Sequence, residues 1–372
     1  MSKIKLLYLI ESSETGGAEN IFLSLVEMTD RERFSVSVGL FYRGWLYDEL
    51  VKRGYTPIVF VNKRGGYDLS LLLQLIKYIK KNRIDLVCSH LFSANLYAGV
   101  AGKISRVPVV AVFHGTVDVS SNDKKAKFKF FVLNGCVRKI VYVSKYLEEF
   151  FSLNYNANRV KSQVIHNGID LSSKIVIGHN DFTRERFGID VEDFLVIAVG
   201  DMRPAKDYPT LLKAIALAVK EIKHLKLIIA GTETDLIVEL ESLKKNLRLT
   251  DYVEYLGYRE NVRTILPYCD AYVSSSVSEG FSLTIVEAMS ARIPVIATQS
   301  GGPEEIVKHE VTGILVEPGV PHLLAKAIVN LSKNRHLKNH LVESAAQMVV
   351  KKFSSKLMIS QYERLFEEVC RD

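Results

Sequence analysis

The chain is expected to fold as two α/β units, each built on a mostly parallel sheet with helices on both faces. Three observations predict this. Short apolar, β-branched runs alternate with longer amphipathic segments, the pattern of strand–helix–strand crossovers whose strands are buried on both faces. The alternation relaxes after Asn167-Gly168 and then restarts. At 372 residues, the chain is also long for a single hydrophobic core.

In the first half, strands are expected at Ile4–Ile10, Ser35–Phe41, Pro57–Val61, Asp85–Ser89, Val109–Phe113, Ile140–Val143 and Val164–Ile165. Helical patterns run over Ala18–Met28, Trp45–Arg53, Leu69–Asn82, Ala94–Ser105 and Lys124–Gly135. The weakly periodic Leu171–Asn180 reads as a linker. Beyond it, strands are expected at Phe194–Val199, Leu225–Ala230, Val253–Leu256, Ala271–Ser275, Val295–Ala297 and Ile314–Val316. Their helices are Pro209–Val219, Asp235–Leu247, Ser282–Ala291, Pro303–Val307 and Pro321–Ser332. Leu337–Cys370 is helical in character. The expected domains are therefore 1–170 and 171–350, with a C-terminal helix at 351–372 that returns to the first domain.

Composition narrows the function. Hydrophobic content of 48% beside 24% charged residues is that of an ordinary globular protein, with core enough to need no covalent staples. The four cysteines (Cys88, Cys136, Cys269 and Cys370) are scattered, which argues against disulfide frameworks and zinc sites and suits a reducing cytoplasm. The N-terminal apolar run is too short for a signal peptide, and no run reaches membrane-spanning length. A net charge of +7 is too small to point to nucleic acid. The charge is unevenly placed, however. Lys124, Lys125, Lys127 and Lys129 interleave with Phe128, Phe130 and Phe131. Such a segment either seats a helix on an anionic membrane surface or is a solvated face over a buried aromatic stripe.

Ligands of open parallel sheets bind in the loops beyond the carboxyl ends of the strands. After the first strand, Glu11 to Glu19 carries Gly16-Gly17 into a helix, a pair that lets backbone approach a ligand or simply makes a tight turn. It is not G-x-G-x-x-G, so a dinucleotide fingerprint is missing. Ser89-His90 and His114-Gly115 close the fourth and fifth strands, which directs His114, and with it His90, toward a substrate. Neither G-x-S-x-G nor H-E-x-x-H occurs.

In the second half, Gly200 to Asp207 brings Arg203 and Lys206 to a strand-to-helix loop. The alternatives are cations for a diphosphate or a surface ion pair with Asp201 or Asp207. Glu279-Gly-Phe-Ser-Leu-Thr-Ile-Val-Glu287 then enters a helix whose free first-turn N–H groups suit a phosphate. Glu287 would accept from a ribose hydroxyl there; alternatively, Thr284-x-x-Glu287 is a capping box that ties off its own helix. Gly301-Gly302 opens the next helix.

Glu279 and Glu287 fit E-x7-E. In order with Gly16-Gly17, His114-Gly115, Asn167-Gly168, Arg203/Lys206 and Ser300-Gly301-Gly302, the chain resembles the retaining family 4 glycosyltransferases of the GT-B fold over nearly its whole length. The resemblance implies two Rossmann-like domains facing each other across a cleft, the first taking a glycan or polyprenyl-linked acceptor and the second a UDP- or GDP-linked sugar, with no metal or other cofactor. His114 would contact the transferred sugar near its reacting centre; His90, from its place at the end of the fourth strand, is the candidate acceptor contact. Arg203 and Lys206 would neutralise the diphosphate, and Glu279 would hold the sugar hydroxyls. Gly16 and Gly17 would approach donor or acceptor, Phe281, Ser282 and Leu283 would give backbone contacts near the phosphate, and Glu287 would bind the ribose. Where many relatives carry arginine after the glycine, this chain has Asp201. No carboxylate nucleophile is obvious in the histidine loop, Asp118 being the one nearby. That agrees with retention through a short-lived oxocarbenium-like species, in a cytoplasmic enzyme of surface polysaccharide synthesis peripheral to the membrane. The alternatives are a nucleotide-sugar epimerase of similar architecture and a non-catalytic nucleotide-sugar-binding subunit.

Overall fold

A computed structural model describes residues 3–61, 68–119, 123–172 and 182–371. The chain divides into two compact units, one of Met1–Gly168 with Ser355–Asp372 and one of Ile169–Ser354. The segment read as a linker lies outside the described residues from position 173 to its end.

The first unit holds a seven-stranded parallel sheet: β1 (Ile4–Ile10), β2 (Phe34–Leu40), β3 (Ile58–Val59), β4 (Leu86–His90), β5 (Val109–Phe113), β6 (Lys139–Tyr142) and β7 (Ser162–Val164). Their order is β3-β2-β1-β4-β5-β6-β7. Every residue of β4 and β5 is buried, which is why neither alternates apolar with polar residues: β5 is apolar throughout, and β4 is apolar up to Ser89-His90. The register pairs Ile10 with His90 and His90 with Val112, so the carboxyl ends of β1, β4 and β5 finish side by side.

The second unit holds six parallel strands: β8 (Phe194–Val199), β9 (Leu225–Ala230), β10 (Val253–Gly257), β11 (Ala271–Ser274), β12 (Val295–Thr298) and β13 (Ile314–Val316). Their order is β10-β9-β8-β11-β12-β13. In each sheet the winding reverses once, between β1 and β4 and between β8 and β11. A crevice opens outside the strand ends at such a reversal, and ligands of this fold class sit there.

Two helical readings change. The segment Lys145–Tyr155 is a helix that the apolar pattern did not single out. The terminal helical stretch is two helices, Arg335–Lys352 and Ser355–Arg371, and residues 351–354 belong to the second unit. The break falls at buried Phe353, whose carbonyl accepts from Ile169 N at 2.9 Å. The last helix packs into the first unit, with Phe366 edge-on to Tyr8 and Phe34, both at 6.1 Å. There Glu363 accepts from Asp30 N at 2.8 Å and pairs with Arg33 at 2.9 Å.

Candidate functional site

In the second unit, β8 is followed by Gly200, whose φ of +146° is open mainly to glycine. Its carbonyl accepts from Tyr208 Oη at 2.6 Å. A Cβ on Gly231 would stand 2.0 Å from that carbonyl, so the two strand-end loops touch backbone to backbone. The single turn Pro204–Lys206 is tied to the end of β11. Ser275 Oγ donates to Lys206 O at 2.7 Å, and Val277 N donates to Ala205 O at 2.8 Å. These bonds aim the Lys206 side chain at Glu279, and the ammonium donates to Oε2 at 2.5 Å. Ser276 Oγ donates to the same oxygen at 3.3 Å.

Glu279 is fixed through its backbone as well. Its N–H donates to Ser300 O at 2.9 Å, and its carbonyl accepts from Gly302 N at 2.8 Å. A Cβ on Gly302 would lie 2.2 Å from Gly280 O, so this pairing requires glycine at 302. The helix that follows the glycine pair, Pro303–Ile306, is four residues long and serves here as a turn, with Gly301 N donating to Glu304 at 3.0 Å.

The helix Leu283–Ser290 begins one residue after Ser282, which occupies the N-cap and makes no side-chain hydrogen bond to the first turn. Its hydroxyl lies 3.1 Å from that of Thr284, which in turn meets Tyr272 Oη at 2.7 Å. The capping-box alternative fails here, because Thr284 lies inside the helix and not at its N-cap. The N-cap side chain leaves the first turn uncapped, with the positive end of the helix dipole there. Glu287, one turn in, is half-buried. Burial pushes its carboxyl up to about 7, and nearby Arg263 opposes part of the rise.

Arg203 does not join Lys206. Its guanidinium lies 3.0 Å from Asp201 Oδ2, with 61% of the side chain exposed, and Asp201 Oδ1 accepts from Thr232 N at 3.2 Å. The ion pair weighed as an alternative from the sequence is thus its resting partner.

In the first unit, Gly16 is the N-cap of the helix Gly17–Met28, with no side-chain capping bond. Buried Glu19 stands in its first turn, and a Cβ on Gly16 would meet the Glu19 carboxylate at 2.5 Å. Glu11, just past β1, accepts from Ser93 N at 3.0 Å.

The reading of His90 as an acceptor contact is corrected. Its side chain has no exposure, because the ring turns inward with Cys88 on the same face of β4. It packs edge-on to Phe22 at 5.2 Å. His90 reaches His114 instead, with Nδ1 and Nε2 2.8 Å apart. His114 is only partly covered, but its Nδ1 is shut off from solvent and has no hydrogen-bond partner among the described residues. Its backbone N–H donates to Asp118 Oδ2 at 2.7 Å. Burial pushes the Asp118 carboxyl up to about 7, with Glu11 and Glu19 adding to the rise and two backbone N–H groups working against it. The carboxylates Glu11 and Glu19 escaped sequence reading; their acidic residue type at the end of β1 and in the next helical turn was the available signal.

The basic–aromatic segment forms the helix Ala126–Cys136. Phe130 is buried in an aromatic cluster with Phe92, Phe113 and Phe151, while Phe128 and Phe131 are 65% and 75% exposed. Lys124, Lys125 and Lys127 are exposed beside them. Lys129 is not part of that face, since it pairs with Asp123 at 2.5 Å and lies over the Phe92 ring.

Two family models match the chain, Glycosyltransferase Family 4 over residues 15–173 and Glycosyl transferases group 1 over residues 179–348. N-acetyl-α-D-glucosaminyl L-malate synthase of Bacillus anthracis is 28% identical over 320 residues, covering 82% of this chain and 80% of its own. The UDP-Gal:α-D-GlcNAc-diphosphoundecaprenol α-1,3-galactosyltransferase of Escherichia coli is 24% identical over 98% of this chain and 97% of its own. Among solved structures, Anabaena HepE in complex with UDP superposes with a TM-score of 0.85 at 24% identity, covering 98% and 100% of the two chains. A glycosyltransferase of Rickettsia africae gives 0.87 at 20% identity over the full length of both.

Proposed function

The chain belongs to the family 4 glycosyltransferases of the GT-B fold, and from that premise we propose that it moves a sugar from a UDP-sugar to a lipid-linked glycan with retention of anomeric configuration. The observation that carries the donor half is the meeting, at the β8/β11 reversal, of Lys206, Glu279 and the uncapped start of the helix Leu283–Ser290. The bond from the anomeric carbon to the diphosphate oxygen breaks, and the electron pair leaves on the diphosphate. Lys206 and the first-turn N–H groups near Phe281, Ser282 and Leu283 stabilise the charge that builds there. Glu279 holds sugar hydroxyls, and Glu287 accepts from the ribose. The acceptor oxygen bonds to the same face, and its proton passes to the departing diphosphate. Charge neutralisation is assigned to these groups without a metal, so EDTA is expected to leave the rate unchanged.

Uridine is favoured because HepE is solved with UDP and with UDP-glucose and the E. coli relative is named for UDP-Gal. That relative's name also carries a diphosphoundecaprenol acceptor, whereas the B. anthracis relative is named for L-malate. The exposed face of Lys124, Lys125, Lys127, Phe128 and Phe131 favours the lipid-linked acceptor, since cations beside exposed aromatics suit an anionic phospholipid surface. Among the described residues no helix is long and apolar enough to cross a membrane. The contact we assign is peripheral, at the cytoplasmic face, in surface polysaccharide synthesis.

The test is incubation with radiolabelled UDP-sugars, with and without a polyprenyl-diphosphate-linked glycan. Label entering the organic phase only with acceptor, in an α-linkage from an α-donor, supports the proposal. A β-linkage overturns retention. Interconverted UDP-sugar without acceptor identifies an epimerase, and neither turnover nor transfer with any donor identifies a binding subunit.

A further inference from the structure

At the amino ends of β5 and β6, the opposite edge of the first sheet from His90 and His114, the first unit closes around a cavity of about 470 Å³. Its wall comes from four places: the end of the helix Phe92–Ser105, the lead-in to β5, the turn from the helix Ala126–Cys136 into β6, and the single turn Arg159–Lys161. Four of the ten lining residues are cations, Lys103, Arg106, Arg138 and Lys161, and none is acidic. Val107 and Pro108 add an apolar stretch of wall. The volume is in the range of small-molecule pockets.

Helix ends account for one of these cations. Two helices run out at this wall, and the carbonyl end of a helix attracts positive charge. Lys161 serves there, its ammonium donating to Asn134 O at 2.6 Å and to Val137 O at 2.8 Å. An ammonium has three N–H donors, so one is left over. Lys103 and Arg106 are exposed, and neither side chain has a hydrogen bond or ion pair among the described residues. The cations act on one another instead. Burial first, and then the charges of Lys103 and Arg138, push the Lys161 ammonium below the usual lysine range, with Cys136 opposing. Like charges gathered on one concave wall repel, and an anion among them relieves that repulsion.

We propose that this cavity is a binding site for a small soluble phosphate compound, a phosphomonoester or a diphosphate. The Arg106 guanidinium forks onto two phosphate oxygens, Lys103 and Arg138 neutralise charge, and Lys161 donates its remaining N–H. A phosphomonoester carries close to two negative charges at neutral pH, which suits a wall of four cations better than the single charge of a membrane phosphodiester. Gly135 marks where an occupant fits, since a Cβ built there meets nothing within 4 Å. The site lies at the sheet edge away from the strand-end loops and does not depend on sugar transfer.

The test is calorimetric titration of the full chain with inorganic diphosphate at low ionic strength, where exposed charges are least screened. Lys206→Met is the background, so that heat from the donor site proposed above is removed. One binding event is expected. Arg106→Gly is expected to weaken it about tenfold, the worth of one charge-assisted contact. Its Tm is expected to match or exceed the background, because φ at 106 is +60°, a conformation that suits glycine. Gly135→Glu is expected to abolish binding by placing a carboxylate in the open space. Its Tm is expected to be no lower, since glutamate is the better helix former. Absence of diphosphate binding in the background, or equal affinity in both variants, overturns the proposal. Sedimentation with phosphatidylglycerol vesicles, in a Phe128→Ser/Phe131→Ser chain, tests the lipid source: retention that depends on Arg106 while free diphosphate does not bind would assign the wall to a membrane surface and also overturn it.

Discussion

Glu287 gives a quantitative test of the donor site. Its carboxyl is raised to about 7 by burial, so over the neutral range it passes from an acid to the carboxylate that ribose hydroxyls would bond. If only the carboxylate binds, and binding holds it ionised, the apparent Kd scales as one plus ten to the power of pKa minus pH. Between pH 8 and pH 6 that factor rises about tenfold, or about 1.4 kcal/mol. Calorimetric titration with UDP-glucose is the suitable assay, because the diphosphate of a nucleotide sugar has no ionisation in this interval, whereas free UDP does. Glu287→Gln is expected to bind more weakly at pH 8 and to lose the pH dependence. Stability moves the other way. The folded-state pKa lies above the unfolded value, so the native state holds the extra proton between them, and stability falls as pH rises toward and through 7. Glu287→Gln, which never ionises, is therefore expected to melt higher than the wild type at pH 8 and at about the same temperature near pH 5. A flat wild-type Kd from pH 6 to pH 8, or a variant as pH-dependent as the wild type, would refute the ribose assignment.

Lys206→Met removes the ammonium that meets Glu279 at 2.5 Å. In thermal-shift measurements it is expected to abolish most of the stabilisation by UDP, which at a hundredfold excess over Kd amounts to about 2.7 kcal/mol for the wild type. Gly302→Ala places a methyl 2.2 Å from the Gly280 carbonyl and is expected to cost about 1–3 kcal/mol by overpacking, seen in chemical denaturation, with weaker donor binding because Glu279 is held through Gly302 N. The double variant Phe128→Ser/Phe131→Ser is expected to lose sedimentation with phosphatidylglycerol vesicles and to keep the wild-type UDP affinity; retention of full vesicle binding would remove the lipid face from the proposed function.

The strands were legible because a parallel strand buried on both faces is mostly apolar, and Ile4–Ile10, Val109–Phe113 and Leu225–Ala230 fall where the runs predict. That same continuity hid the direction of the site residues. In β4 every position is buried, so the sequence had no polar alternation to show that Cys88 and His90 share the inward face, and His90 was read as an acceptor contact. The helix Lys145–Tyr155 had a readable start, since Ser144 caps Leu147 N at 3.2 Å, and Leu147, Phe150, Phe151 and Leu153 stand at helical spacing within it, with Leu147 and Phe151 buried, so its signal was present and went unread.

The cations of Gly200 to Asp207 show the opposite limit. Arg203 and Lys206 are equivalent in the sequence, both on one loop after one strand. What separates them is the tie from Ser275 and Val277, which fixes the loop backbone and aims Lys206 at Glu279, while Arg203 is left with the acid two residues before it. Charge type was readable, but aim depends on hydrogen bonds between segments about seventy residues apart. An Asp201→Ala change frees Arg203 without touching Lys206. If Asp201 merely stores the guanidinium until a diphosphate arrives, UDP binding should tighten in that variant; if Arg203 has no part in the site, it should not change.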